Sequence, residues 1–243
     1  MLSAEALRLA AIEVLSPTAA NEGGAGFPTL AGRNVFDSRA APLNVIDRTK
    51  DYTPVCSVYI REVSAAPRGD ATDADDFEAR CVLEIVAELA AVSRDDVGEF
   101  VDAVAVADPH ARLRLAALAA QIRWLLLHAE AGQMFRNLFI RIDRVEEEGH
   151  AVPELGLRYQ RIFLRFHAVV PQDRFSDAGG LPEPAKSFAA KLPAQSYAKA
   201  MLAELAGAFA GQTRMPLAGI TLSPPGVEPA PIATTGDPAD VET

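Results

Sequence analysis

The 243-residue sequence contains few of the residues from which metal and redox sites are built. It has two cysteines, Cys56 and Cys81, whose separation matches neither a paired zinc-ligand pattern nor a redox Cys-x-x-Cys motif. The four histidines lack the spacing that places two imidazoles on one helical face. They are His110, His128, His150 and His167. The sequence therefore predicts no metal site and no cofactor, and we expect both thiols to be buried.

Motifs for nucleophilic and phosphate chemistry are also missing. No Gly-x-Ser-x-Gly elbow occurs, and the glycines of residues 21–28 precede neither a lysine nor a suitable helix start. The aspartates of residues 70–76 lack the mid-loop glycine and closing glutamate of an EF-hand. We expect the glutamates of residues 146–148 to lie in a solvent-facing turn. The sequence thus predicts no catalytic residues and a non-enzymatic protein, although folding can bring together residues that spacing hides.

The sequence has no long hydrophobic run and no excess of positive charge. Its richest apolar stretch, residues 113–127, is interrupted by Arg114, Gln121 and Arg123, so we expect no transmembrane helix. Residues 1–15 have no basic start, apolar core and cleavage site, so we expect no secretory signal. The formal net charge of -10 argues against a general nucleic-acid-binding surface.

What the sequence does contain is a globular proportion of apolar residues, 49%, arranged in recognisable helices. The first segment predicts a helix that begins after Ser3 as its N-cap and stops at Ser16 and Pro17, followed by a loop over residues 18–32. Asp108 and Pro109 predict the start of a second helix over residues 109–130. We expect its Trp124 to lie in the core or at a subunit interface. Its expected core stripe is Leu115, Leu118, Ile122, Leu125 and Leu126.

Five strands are predicted. Residues 33–38 form a short one, and residues 54–63, apolar at both parities, an interior one. Residues 77–89 alternate apolar and polar side chains, which favours a long strand with its odd-numbered residues buried, while a helix stays possible. Residues 137–146 and 157–170 predict a hairpin joined by a loop. The fold class is therefore α+β, with a mixed, mainly antiparallel sheet packed by two helices.

The pattern changes after residue 170, where proline and glycine recur. We expect residues 1–170 to form one α+β domain. We expect residues 171–243 to be a C-terminal extension with one helix at residues 196–209 and an extended, Pro-rich tail. A chain ending near Pro171 is accordingly expected to stay folded.

Three segments and the order of elements resemble the tail terminator family of long-tailed bacteriophages and gene transfer agents, which includes lambda-type minor tail protein U. The first segment is LSAEALRLAAIEVL followed, after a loop, by GRNVFDSRAAPLN. The second is PVCSVYIRE, in which a proline precedes an apolar strand. The third is RYQRIFLRFHAVV, with alternating arginine and apolar residues. The resemblance covers residues 1–170 and does not extend to residues 174–243.

The resemblance implies an α+β structural protein of the virion that forms a homohexameric ring at the head-proximal end of a phage tail. Such a ring ends the polymerisation of the tail tube and provides the surface for head-tail connection. Its partners would be the tail tube protein, a neck or head-completion protein, and DNA that passes through the lumen without sequence-specific binding. The subunit would assemble in the bacterial cytoplasm and reside in the tail of a phage or phage-like particle. Alternatives are a neck or head-completion protein, an enzyme of unknown chemistry, and a monomeric adaptor.

Overall fold

A six-stranded mixed sheet forms the centre of the protein in a computed structural model that describes residues 1–67, 77–94, 98–103, 109–152, 157–176 and 179–209. The strands are β1 (Val35–Asp37), β2 (Thr53–Pro67), β3 (Phe77–Arg94), β4 (Glu99–Ala103), β5 (Arg141–Val152) and β6 (Leu157–Val170). The order is β1-β2-β3-β6-β5, and β4 pairs with the end of β3. The β1–β2 pair is parallel and the other pairs are antiparallel. The predicted α+β class with a mainly antiparallel sheet is confirmed.

Six α-helices accompany the sheet in the described part of the chain. They are α1 (Leu2–Leu15), α2 (Thr18–Gly23), α3 (Pro109–Leu127), α4 (Gln133–Arg136), α5 (Ala185–Lys191) and α6 (Tyr197–Ala208). Helix α1 contacts β1, β2 and β3, and α3 contacts β3 and β6. The two helices therefore cover one face of the sheet, as the sequence predicts.

The core lies between these helices and the odd-numbered side chains of β3. Residues from Ala79 to Leu89 at odd positions are buried, whereas Glu84 and Arg80 lie on the opposite face. The strand alternative for residues 77–89 is thus the correct one. On β6, Ile162, Leu164, Phe166, Ala168 and Val170 join the same core. Because side chains alternate across a strand, this register turns Arg161 and Arg165 to the face opposite α1 and α3.

Helix α1 begins one residue before its predicted cap. Its first turn is capped from a distant part of the chain, because Asp173 Oδ2 and Oδ1 accept hydrogen bonds of 2.7 Å from the backbone N–H groups of Leu2 and Ser3. A carboxylate at this end also offsets the positive end of the helix dipole. The prediction of Ser3 as N-cap is therefore wrong, since Ser3 lies buried inside the first turn.

Strand β2 is interior over only part of its length. Val55, Cys56 and Val58 are buried where β1 pairs with the strand. From residue 61 onward every residue to Pro67 is exposed. Apolar residues at both parities therefore mark the covered end of β2 alone, and the prediction of an interior strand holds only there.

The hairpin begins later than the sequence predicts. Residues 133–136 form α4, and β5 runs from Arg141 to Val152. The glutamates of residues 146–148 therefore lie within β5 and not, as the sequence predicts, in a turn. On the neighbouring strand β6, Arg165 is the partner of Glu148. Strand β4 was not predicted, and the loop before β2 contributes Ala41 and Ile46 to a small second core with Phe36, Val55 and Ala90.

One compact unit extends over Met1–Gln212, so the predicted boundary at residue 170 falls inside it. Two helices, not one, follow that boundary, and α5 and α6 both contact α1. Their side chains Phe188, Leu192 and Leu202 are buried in the main core. The short α5 escapes sequence analysis because Pro184 and Pro193 flank a segment of only seven residues. The predicted tail, residues 210–243, and the aspartates of residues 70–76 lie outside the described residues.

Candidate functional site

The face of the sheet opposite α1 and α3 carries alternating acidic and basic side chains across four strands, and we call it the charged face. Its ion-paired members are Arg61 on β2, Glu78, Arg80, Glu84 and Glu88 on β3, Arg141, Asp143, Arg144, Glu146 and Glu148 on β5, and Arg161, Arg165 and His167 on β6. Strand pairing brings these side chains together, because directly opposed residues lie close enough for their side chains to interact. The charged face is thus a product of register.

Glu84 is at the centre of the charged face. Its Oε2 accepts hydrogen bonds from Arg61 Nη1 at 2.8 Å and Arg165 Nε at 2.7 Å. Arg165 also donates through Nη1 to Glu148 Oε2 at 2.6 Å. The two carboxylates raise the pKa of Arg165, with the hydrogen bond to Glu84 as the largest cause. This chain of contacts ties β2, β3, β6 and β5 together.

A second group lies where β3 begins. Glu78 pairs with Arg80 and with Arg141, whose Nη2 lies 3.3 Å from Glu78 Oε2. Arg141 also donates through Nε to Asp143 Oδ1 at 2.7 Å. The hydrogen bond from Arg80 is the main reason that the pKa of Glu78 is below its ordinary value. Arg61, Arg80 and Arg141 are exposed, so their pairs contribute little to stability alone, whereas Glu84 and Arg165 are half-buried.

His167 is the histidine engaged by this face. Its Nε2 lies 3.0 Å from Glu146 Oε2, and Arg144 Nε lies 3.0 Å from the other carboxylate oxygen. The hydrogen bond with His167 is the largest cause of the lowered pKa of Glu146. Glu146 is therefore held as an anion between two basic side chains.

At the opposite end Glu88 is 5% exposed and pairs with Arg161, whose Nε lies 2.6 Å from Glu88 Oε2. A shallow depression of about 310 Å³ adjoins the pair and is lined also by Tyr59, Val86 and Phe163. A buried carboxylate needs such a partner, because an unpaired charge there would cost several kcal/mol.

Each carboxylate described above is paired with at least one guanidinium of the charged face. Among the described residues, no three His, Cys, Asp or Glu side chains group closely enough to hold a metal ion. Burial raises the pKa of Cys81 to about 12 and that of Cys56 further. Neither thiol is therefore set up as a nucleophile.

A separate cleft of about 920 Å³ lies between α1, α2, β1 and the start of α6. Its floor includes Glu13, whose carboxylate accepts hydrogen bonds from the Thr18 backbone N–H, the Thr18 hydroxyl and the Ser196 hydroxyl. Arg33 and Arg39 lie at its lining with Asp37 and Tyr197. Because Glu13 is saturated by groups of its own chain, it joins elements together rather than awaiting a ligand.

The remaining residues singled out from the sequence do not converge on one site. His110 and His128 lie at opposite ends of α3, and His150 packs edge-on against Phe163 with ring centroids 5.9 Å apart. The glycines of residues 21–28 end α2, where Gly24 adopts φ 69. Trp124 is 59% exposed on the outer side of α3, so it is not a core residue of this chain.

Sequence reasoning missed the charged face, although a signal for it exists. Glu84 and Glu88 on β3 and Arg161 and Arg165 on β6 have the same spacing of four residues. Pairing these strands antiparallel places opposite charges together. The spacing of these charges can be read from the sequence, but the strand register that places them opposite one another cannot.

None of the helices in the described part of the chain is long and apolar enough to cross a membrane. No protein-family model and no curated protein sequence matches the chain.

Proposed function

We propose that the protein is a structural tail terminator subunit, which forms a ring on the end of a tail tube, stops its polymerisation and offers the surface that joins a head. The observation that carries the proposal is the order of elements. A first helix, a short strand, two long strands, a helix and a hairpin occur in this order over residues 1–170, with the shorter elements α2, β4 and α4 between them. This is the order on which the resemblance of the sequence to tail terminators rests.

The charged face supports a role beside passing DNA. Its arginines are engaged by carboxylates of the same chain, so few guanidinium groups are available to phosphate oxygens. Retention of DNA requires several such contacts, since each contact releases condensed counterions. With a formal net charge of -10, a ring of these subunits would let the duplex slide without holding it.

The proposal is tested by the mass and shape of the purified full chain. Native mass spectrometry is expected to give a closed oligomer, six copies in the family pattern, and negative-stain images are expected to show rings. Added to polymerising tail tube protein, the chain is expected to cap tubes at one end and limit their length. A chain that stays monomeric at all concentrations contradicts the proposal.

A neck or head-completion protein is the second reading, and the same material separates the two. A tail terminator copurifies with tail tubes, whereas a neck protein copurifies with filled heads and leaves tube length unchanged. Rings that bind heads alone would replace the first proposal by the second.

A further inference from the structure

Helix α3 is apolar on two opposite sides. Its inner side is buried against β3 and β6. Its outer side presents a stripe at positions i, i+4, i+7 and i+11, formed by Leu113, Ala117, Ala120 and Trp124. Leu113 is 68% and Trp124 is 59% exposed. Two large apolar side chains exposed to this degree along one stripe point to a partner.

The surroundings of this stripe are basic. Residues 109–127 contain no acidic residue, and Arg112, Arg114 and Arg123 flank the stripe on both sides. Two α3 helices meeting across a two-fold axis would bring these arginines together, and like charges at such distances repel. The stripe therefore suits a different, acidic or neutral helix.

Helix α6 has a matching outer face. Tyr197, Met201, Glu204 and Ala208 are exposed and follow the same i, i+4, i+7, i+11 spacing. Lys199 turns away from this face, because its Nζ donates to the backbone carbonyl of Leu192 at 3.1 Å. Glu204 is thus the charge on the α6 face, and it complements the arginines of α3.

Helices α3 and α6 both contact α1, but they are attached to different strands of the sheet. Helix α3 lies against β3 and β6. Helix α6 is anchored at β1, the first strand in the order, by the Tyr197 hydroxyl, which donates to Asp37 Oδ2 at 2.8 Å. The two outer faces therefore belong to different regions of the subunit surface. Complementary faces at different places on the subunit produce a heterologous contact. Such a contact closes into a ring when the rotation between neighbouring copies is a whole fraction of a full turn.

We propose that the outer face of α6 of one copy packs on the outer stripe of α3 of the next copy. This inference rests on the proposed ring and assigns its subunit contact. Ala117 and Ala120 are small side chains between Leu113 and Trp124. A second helix can therefore approach α3 to an interaxial distance of about 8–10 Å. Glu204 then lies within reach of Arg112, while Arg114 and Arg123 keep their partners within their own chain.

A membrane surface fits the stripe less well. Two of its arginines are held by their own chain, since Arg114 lies over the Tyr52 ring at 5.8 Å and Arg123 Nη1 lies 3.2 Å from Glu147 Oε2. The centre of the stripe is alanine, which adds little apolar area to a bilayer contact. Small residues instead favour close helix packing.

Disulfide cross-linking between separately prepared full-length variants tests the contact. The Ala117→Cys and Met201→Cys proteins are mixed, and the mixture is dissociated, reassembled and oxidised. A covalent dimer is expected from this mixture and not from either variant alone. The native Cys56 and Cys81 do not interfere because both are buried. Lys186→Cys, exposed on α5, replaces Met201→Cys in the control and is expected to give no dimer.

The outcomes separate this inference from the proposed function. A monomeric wild-type chain contradicts the ring itself. A ring without the Ala117–Met201 cross-link, or with dimers from Ala117→Cys alone, overturns only the α3–α6 contact.

Trp124, the single tryptophan, gives an independent readout. Its emission is expected to shift to shorter wavelength on assembly, and Met201→Glu, folded as judged by circular dichroism, is expected to lose both the shift and the oligomer. Glu204→Arg is expected to raise the protein concentration required for assembly at least tenfold. A shift that occurs only with vesicles of anionic phospholipid would overturn the proposal in favour of a membrane.

Discussion

The Ser196 hydroxyl donates a 2.9 Å hydrogen bond to the carboxylate of Glu13, 183 residues earlier in the chain. Both side chains are buried, and the same carboxylate binds Thr18 at the start of α2. Ser196 is also the N-cap of α6, where its Oγ accepts from the Lys199 backbone N–H. One hydroxyl thus fixes α6 to the end of α1.

Ser196→Ala is therefore expected to lower the free energy of unfolding by about 1–3 kcal/mol, because it removes a cap and leaves a buried carboxylate short of one donor. The midpoint of urea unfolding measures this loss. Ser187→Ala, at an exposed position of α5, serves as the control and is expected to change the free energy of unfolding by less than about 0.5 kcal/mol. Equal shifts for the two variants would contradict the role assigned to Ser196.

Truncation tests where the folded unit ends. A chain ending at Gln212 is expected to keep the melting temperature of the full chain, because the compact unit extends to that residue. A chain ending at Gln172 is expected to melt at a much lower temperature or to be unfolded. It loses the Asp173 cap of α1 and the buried Phe188 and Leu202. Circular dichroism melts of both chains decide between this and the expectation from sequence, in which the shorter chain stays folded.

Leu83 and Glu84 are neighbours on opposite faces of β3, and their substitutions are expected to differ. Leu83→Asp places a charge in the fully buried core and is expected to cost about 4 kcal/mol or more, or to prevent folding. Glu84→Gln keeps the shape of the side chain but loses the charge between Arg61 and Arg165, at a cost of about 1 kcal/mol. Chemical denaturation measures both variants. Similar costs would mean that the two faces are not distinguished as described.

Acid is expected to destabilise the protein through the charged face. Glu78 and Glu146 have folded-state pKa values below the ordinary 4.5, because of hydrogen bonds from Arg80 and His167 respectively. Their contribution is therefore complete above about pH 4.5 and is lost as the pH falls through the lowered values. Melting temperatures from pH 6 to pH 3 are expected to fall more steeply for the wild type than for the double variant Glu78→Gln, Glu146→Gln. Identical slopes in low salt would contradict this assignment.

Periodic segments could be predicted from sequence because their side-chain pattern and their burial have the same cause. The odd residues of β3, the stripe of α3 from Leu115 to Leu126 and residues 162–168 of β6 follow this rule. The cap of α1 could not be predicted, since Asp173 is far away in sequence and only the fold brings it to Leu2. The same holds for the fixing of α6 to Glu13.

The charged face illustrates a second kind of difficulty. Arg61, Glu84, Arg165 and Glu148 come from four strands, and each is unremarkable as an exposed charge in its own segment. Their meeting depends on register, which the sequence specifies only through the opposite, buried face. The sequence predicts that Trp124 lies in the core or at a subunit interface. It is exposed in the single chain, so the core position is wrong and the interface stays a prediction.

The register shifts of the sheet fall on its outer strands. An extra residue, Arg61, lies in β2 between Ile60 and Glu62, and another, Asp143, lies in β5 between Ile142 and Arg144. An extra residue twists a strand and interrupts its row of backbone donors and acceptors, so these positions of β2 and β5 are poor templates for pairing with a strand of another copy.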